Sequence, residues 1–320
     1  MIFYIALFVL GLLLVLKGGD LFVDSSITIA SRLKVPRMII GGTIVSLATT
    51  APELVVSTTA SYMGDAGIAL GNAVGSAIAN IGLIVGLSAI LAPIMIDVAD
   101  FRRRALWMLV SALLVVLFSW NFELGRGSGL ILFSLAILYL SLNCLRAVLE
   151  RKKNEPSPES EATEHQTPLS KAILMFLIGA VLVIVGSKLL VNSGIAIASA
   201  LKIPSLIIGL TAIAVGTSLP ELVTAITSAK KNVADLSIGN IVGANVLNLA
   251  LITGASAMIR PLSIDLFTRH YAFLWLFIMI TAMMIIFWKN GKMGKKSGII
   301  LLSLYVIYNL GLVFYSVMDS

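Results

Sequence analysis

The sequence predicts an all-α polytopic membrane protein with ten transmembrane helices arranged as two inverted five-helix repeats. Three observations lead there: a lipid-like composition, ten long apolar stretches, and extended self-similarity at one fixed offset. Of the 320 residues, 58% are apolar and 12% charged, and the mean hydropathy is +1.02. A soluble domain carries roughly 25% charged residues. The apolar stretches run over 1–23, 36–62, 68–93, 104–120, 127–146, 169–192, 204–229, 236–261, 271–288 and 297–316. Each approaches the roughly 20 helical residues needed to cross a hydrocarbon core. The first lacks a basic leader and a small-residue cleavage site, so it reads as a retained helix.

Residues 151–168, RKKNEPSPESEATEHQTP, are charged, proline-rich and poor in large apolar side chains, which predicts a disordered cytoplasmic linker between two sets of five helices. The expected organisation is a first repeat over 1–146, a linker over 147–168 and a second repeat over 169–320. The net charge of +7 does not indicate a nucleic-acid partner, because the basic residues are distributed by loop. With the N-terminus outside, 17 of the 23 Lys and Arg fall in cytoplasmic loops and four outside. The positive-inside rule then places both termini outside a multi-pass protein of the plasma (inner) membrane. The lipid bilayer is the expected partner, and no protein partner is evident. The single Cys144 forms no intrachain disulfide, and His165 and His270 are too few for a histidine metal site. Lys17, Asp20 and Asp24 are expected to form an interfacial charge cluster.

The repeat carries the argument toward function. Residue n corresponds to residue n + 168, and between 36–80 and 204–248, 17 of 45 positions are identical. Pro36, Thr49, Pro52, Glu53, Gly71, Asn72, Gly75 and Asn80 match Pro204, Thr217, Pro220, Glu221, Gly239, Asn240, Gly243 and Asn248. Five crossings per repeat, an odd number, make the second copy enter the membrane from the opposite side. Inverted repeats typify secondary transporters, whose substrate sites lie near the midplane beside interrupted helices.

The matched segments TIVSLATTAPEL and TAIAVGTSLPEL supply the interruptions and the ligands. Pro52 and Pro220 each remove a helical hydrogen bond and free the carbonyl four residues earlier, that of Ala48 or Gly216. Thr49 with Glu53, and Thr217 with Glu221, are four apart and share a helix face. An intramembrane carboxylate is costly unless it is used, so Glu53 and Glu221 are expected to face one buried cation site. Ser76, Asn80 and Asn248 lie in the following segments, where Gly71, Gly75, Gly239 and Gly243 form small-residue faces suited to close helix approach. All of these donors are oxygens, which suits calcium or alkali cations. Two carboxylates are neutralised by one calcium or two sodium ions but not by both loads together, and competition for one site is exchange.

At these two segments the chain resembles the calcium/cation antiporter superfamily, and most closely its bacterial and archaeal sodium/calcium exchanger members. GTSLPEL at 216–222 fits the family pattern, and ATTAPEL at 48–54 is a looser copy. The resemblance implies Ca²⁺ and Na⁺ as the transported ions and no cofactor. It places Thr49, Glu53, Thr217 and Glu221 at a calcium position. It further implies the carbonyls of Ser46 and Ala214, with Thr50, Ser76, Asn80, Ser218 and Asn248, around sodium positions. Ala244 stands where the match to Ser76 calls for a hydroxyl, leaving one sodium ligand missing. Asn248 stands where potassium-dependent relatives carry Asp. The expected function is sodium/calcium antiport by alternating access, with proton- or potassium-coupled calcium antiport as the alternative. No nucleophile, His/Asp metal set or phosphate loop indicates an enzyme.

Overall fold

Residues 2–153, 168–200, 216, 218–288 and 291–318 are described in the computed structural model, and nearly all are helical. In hydrocarbon an unpaired main-chain group has no water to turn to, so runs this apolar satisfy their main chain internally. The helices are α1 (Ile2–Leu33), α2 (Arg37–Thr49), α3 (Ala51–Met63), α4 (Ala66–Leu91), α5 (Val98–Phe118) and α6 (Arg126–Lys153). After the linker come α7 (Leu169–Ala200), α8 (Leu219–Lys230), α9 (Ala234–Ile259), α10 (Thr268–Trp288) and α11 (Lys295–Met318). Among the described residues seven are long and apolar enough to cross a membrane, or eight if α2 and α3, bent by 46°, form one broken span. The chain is thus a polytopic helical membrane protein. Several helices outrun the apolar stretches: α1 continues to Leu33 and α7 to Ala200. Most of the linker, 154–167, lies outside the described residues, as do 201–215 and 217 of the predicted 204–229 span.

One departure from the all-α expectation is small. Two pairs of two-residue antiparallel strands join loops: β1 (Ile94–Met95) pairs with β4 (Lys292–Met293), and β2 (Glu123–Leu124) with β3 (Leu262–Ser263). Two-residue strands leave no alternating pattern to read; they arise because folding brings main chains with free N–H and C=O groups side by side.

At the centre lie α4 and α9, whose apolar windows are 72% and 89% buried, against 22% for α1 and for α11. Around them pack α5, α10 and the aromatic residues Phe101, Phe273, Phe287 and Tyr139. The α3–α4 turn is built from Gly64, whose φ of +91° suits glycine, and Asp65, whose carboxylate caps α4 by accepting from the Ile68 N–H. At the periphery α1 and α7 form one antiparallel pair, in which Gly11 abuts Gly186 and Gly18 abuts Gly179; a Cβ on Gly11 would stand 2.9 Å from the Gly186 oxygen.

The expected cluster of Lys17, Asp20 and Asp24 takes a different form. Lys17 has no part in it, and the cation comes from Lys231 at the end of α8, 2.8 Å from Asp24 and 3.6 Å from Asp20. The hydrogen bond to Asp24 raises the Lys231 pKa above its ordinary value. Helical spacing identified the two acids on one face; their partner comes from a segment some two hundred residues away.

Candidate functional site

Two half-helix N-termini form the site. Thr50, with φ −83° and ψ 1°, leaves helical geometry and separates α2 from α3, and Pro52 occupies the first turn of α3, where its missing N–H costs nothing. Ser218, with φ −89° and ψ 9°, precedes α8 in the same way, with Pro220 in its first turn. Glu53 and Glu221 therefore both stand in a first helical turn, at the end of the helix dipole that favours an anion.

Both carboxylates are 1% exposed, and none of their four oxygens has a hydrogen-bond partner among the described residues. The charge of Glu221 is felt at Glu53, so the two share one electrostatic environment. Around them Asn80 Oδ1, Asn248 Oδ1 and Ser218 Oγ are also buried without partners. A buried polar atom left unpaired costs about 1–3 kcal/mol, and a charged one more. An array of unpaired oxygens carrying two carboxylates has the donor chemistry of a hard-cation site.

Neighbouring contacts run both across and within the halves. The Thr49 hydroxyl donates to Asn240 Oδ1 at 3.2 Å, and Thr49 lies beside Glu221 without closing a hydrogen bond to it. Asn80 Nδ2 donates to Asn245 Oδ1 at 3.0 Å, and Asn72 Nδ2 donates to the Glu53 carbonyl at 3.3 Å and to Ser57 at 2.9 Å. Around Asn80 and Asn248 the helices α4 and α9 loosen into π-helical turns, Asn80–Val85 and Leu247–Ile252. Such turns free main-chain groups inside a helix and are frequent at functional sites. The Asn248 carbonyl accepts from Thr253, five residues on.

The sequence-predicted donors fare unequally. Glu53, Glu221, Thr49, Thr50, Ser46, Ser76, Asn80, Asn248 and Ser218 are all buried. Thr217 and Ala214 lie outside the described residues. The Ser46 carbonyl already accepts from Thr50 Oγ1 at 2.6 Å, Thr50 N at 2.9 Å and Thr49 Oγ1 at 3.3 Å, so an ion taking it must displace a hydroxyl. The close approach expected of both glycine pairs is present at Gly239 and Gly243: a Cβ on Gly239 would strike the Met38 oxygen, and one on Gly243 would stand 2.7 Å from Gly42 Cα. For Gly71 and Gly75 the residues matching Met38 and Gly42 are Leu206 and Leu210, which lie outside the described residues. Sequence reasoning passed over Asn72, Asn240 and Asn245 as site residues. The first two were findable as an identical pair at the repeat offset; Asn245, matched to Ala77, carried no such signal.

A buried set of oxygens with two carboxylates, held between interrupted helices of a polytopic protein, defines a membrane transporter of hard cations. The chain matches the sodium/calcium exchanger protein family over residues 3–145 and 171–314. It is 34% identical to the uncharacterized membrane protein MJ0091 of Methanocaldococcus jannaschii, covering 94% of this chain and 95% of that one. It is 31% identical to the sodium/calcium exchanger MaX1 of Methanosarcina acetivorans, covering 96% and 97%. A solved structure of the sodium-calcium exchanger NCX_Mj, soaked with Na⁺ and Sr²⁺, superposes with a TM-score of 0.82 at 32% identity, covering 96% of this chain and 97% of that one. The chain belongs to the sodium/calcium exchanger family, a family of transporters and not of enzymes. Calcium and sodium are the ions such transporters move, and they need no cofactor.

Proposed function

We propose that the chain exchanges Na⁺ for Ca²⁺ at a midplane site whose charged ligands are Glu53 and Glu221. The observation that carries this reading is the set of four buried, unpartnered carboxylate oxygens at two half-helix N-termini. Thr49, Thr217, Thr50, Ser218, Ser76, Asn80, Asn248 and the carbonyls of Ser46 and Ala214 complete the ligand set.

The site sits between two inverted repeats of five helices, 1–146 and 169–320, ten crossings in all. In support, elements recur at the 168-residue offset: α3 and α8 begin at Ala51 and Leu219, and α4 and α9 span Ala66–Leu91 and Ala234–Ile259. Packing is reciprocal, since α4 packs on α11 as α9 packs on α6, and β1 pairs with β4 as β2 pairs with β3. Gly11 and Gly18 abut each other's repeat mates, Gly186 and Gly179. The orientation has both termini outside and the linker in the cytoplasm of a cell whose plasma membrane holds the protein. The pairing of β1 with β4 is consistent with it, because Arg102, Arg103 and Arg104 a few residues after β1 and Lys292, Lys295 and Lys296 at and after β4 all belong to the basic excess assigned to the cytoplasm.

Alternating access is supported by a difference between the mates. On α1, Gly19 packs so tightly on α8 that a Cβ would strike Val223 and come within 3.2 Å of the Thr227 hydroxyl. Its mate on α7, Ser187, lines an apolar cavity of about 150 Å³ that reaches Pro52 and Pro220, each adjacent in sequence to one of the two acids.

The coupling ion is tested by calcium-45 uptake into proteoliposomes under imposed sodium, potassium and proton gradients. An outward sodium gradient alone is expected to drive uptake; uptake of equal size driven by potassium or protons would replace sodium as the coupling ion. A second expectation concerns Asn240→Ala, which removes one of the two acceptors within reach of the Thr49 hydroxyl, the other being the Ser46 carbonyl. A hydrogen bond of this kind contributes about 1 kcal/mol, so apparent calcium affinity should weaken about five-fold, measured as the half-saturating calcium for uptake.

A further inference from the structure

The largest fully buried side chain among the described residues is that of Arg104 on α5, which is 1% exposed. Its Nε donates to Asp100 at 3.1 Å, one turn earlier, but neither Nη1 nor Nη2 has a hydrogen-bond partner among the described residues. The guanidinium reaches α2: a Cβ on Gly42 would strike its Nη1 and would stand 3.2 Å from the Tyr139 hydroxyl. That hydroxyl, carried by α6, donates to the Gly42 carbonyl at 3.2 Å. Gly42 therefore meets a guanidinium in the space of its missing side chain and a phenol on its carbonyl.

This is a costly way to fill a helix contact. A charge within a membrane bundle is expensive and is retained where it is used, and a buried charged donor left unpaired costs more than a neutral one. The second repeat does without it, since the residues 168 positions after Gly42, Arg104 and Tyr139 are Leu210, Ala272 and Ile307. Gly42 stands in the π-helical turn Gly41–Val45, where α2 departs from regular α geometry. Across from Arg104, α9 closes on the same residue: a Cβ on Gly243 would stand 2.7 Å from Gly42 Cα and 2.8 Å from Ser46 Oγ. Ser46 follows Gly42 by one turn, about 6 Å along the helix, and Thr49 and Thr50 follow by two. A shift of α2 at Gly42 is thus passed on to three of the proposed ligands.

We infer that Arg104 is a positioning residue for the ion site: with Tyr139 it holds the π-turn of α2 against α9, and so sets where Ser46, Thr49 and Thr50 stand without touching an ion. The inference rests on the exchange reading above, which supplies those ligands. A brace that serves the site differs from one that serves the fold in what its removal changes. Without Arg104, the Asp100 side chain is 20% exposed and keeps Arg103 at 3.7 Å, so no buried charge is stranded. Replacing a buried ion by an apolar side chain of similar volume is then close to neutral for folding. The placement of α2 has no such compensation.

The test is R104M in the full-length chain in proteoliposomes, measuring half-saturating calcium and sodium and the maximal uptake rate, together with the thermal midpoint in detergent without calcium. Half-saturating concentrations are expected to rise about ten-fold for both ions, the scale of one charge-assisted hydrogen bond, with the maximal rate retained and the midpoint within about 3 °C of the parent. R104K keeps the charge and the Asp100 pair but lacks the fork that reaches Gly42, and should behave like R104M. Y139F removes only the phenolic donor and should raise half-saturating calcium about three-fold at an unchanged midpoint. Because both side chains act on Gly42, R104M/Y139F should give less than the product of the separate factors. Unchanged affinities in R104M, a midpoint that falls in step with affinity, an R104K with the parent's affinities, or a double variant showing the full product would each overturn the proposal. If R104M does not reach the membrane, Y139F decides alone: parental half-saturation, or a lowered midpoint, would count against the brace. Failure of the underlying exchange reading is distinguishable, because the parent protein itself would then show no sodium-driven calcium flux.

Discussion

Glu221→Gln is expected to abolish sodium-driven calcium uptake, with apparent calcium affinity falling at least about 100-fold. Glutamine preserves the volume and one oxygen of Glu221 but removes one of the two negative charges that balance Ca²⁺ in a buried site. Leaving a buried charge without its counter-charge costs about 3–5 kcal/mol, and each 1.4 kcal/mol is a factor of ten in affinity. The same substitution at Glu53 should have a matching effect, because both acids are equally buried and equally unpartnered. Folding should survive. Neither carboxylate makes a hydrogen bond among the described residues, so glutamine breaks none. The measurement that separates site from scaffold is thermal unfolding in detergent with and without calcium. The variant should keep the calcium-free midpoint and lose the calcium-dependent increase that ligand binding gives the parent. Sodium-driven uptake retained by Glu221→Gln would remove this residue from the site.

The second large effect is expected at Gly239, away from any ion. The α2–α9 crossing is so close that a methyl group on Gly239 would meet the oxygen and, at 2.9 Å, the Cα of Met38. These are main-chain atoms, which cannot rotate aside, so Gly239→Ala must push the two helices apart. Overpacking of this kind costs about 1–3 kcal/mol, or a fall in melting midpoint of about 5 °C for a chain of this size. Function should suffer with it, because the next residue, Asn240, holds the Thr49 hydroxyl and would be carried off register. An unchanged melting midpoint in Gly239→Ala would contradict the closeness of the α2–α9 crossing.

Sequence reading stopped at the partners of the matched residues. Gly239 meets Met38 and Asn240 accepts from the Thr49 hydroxyl, and the residues at the corresponding places for Gly71 and Asn72, Leu206 and Thr217, lie outside the described residues. A repeat in sequence gives two segments with the same residues; which segment each one meets depends on packing across the whole bundle, and nothing local in either segment encodes it.

The sequence by itself determined the membrane class, the 168-residue repeat, the helix interruptions at Pro52 and Pro220, and the two acids with their oxygen-rich surroundings. Each of these follows from composition, periodicity or the restricted chemistry of a residue type in lipid, and all are properties of one segment or of two compared. Tertiary structure alone decided which oxygens lack partners, that the Ser46 carbonyl is already occupied by threonine donors, and that Lys231 is the cation for Asp20 and Asp24. It also decided that Gly19 packs on Val223 of α8 while its mate Ser187 lines a cavity beside Pro52 and Pro220. Those facts depend on distances between segments far apart in the chain, and such distances are set by the packing of whole helices around α4 and α9.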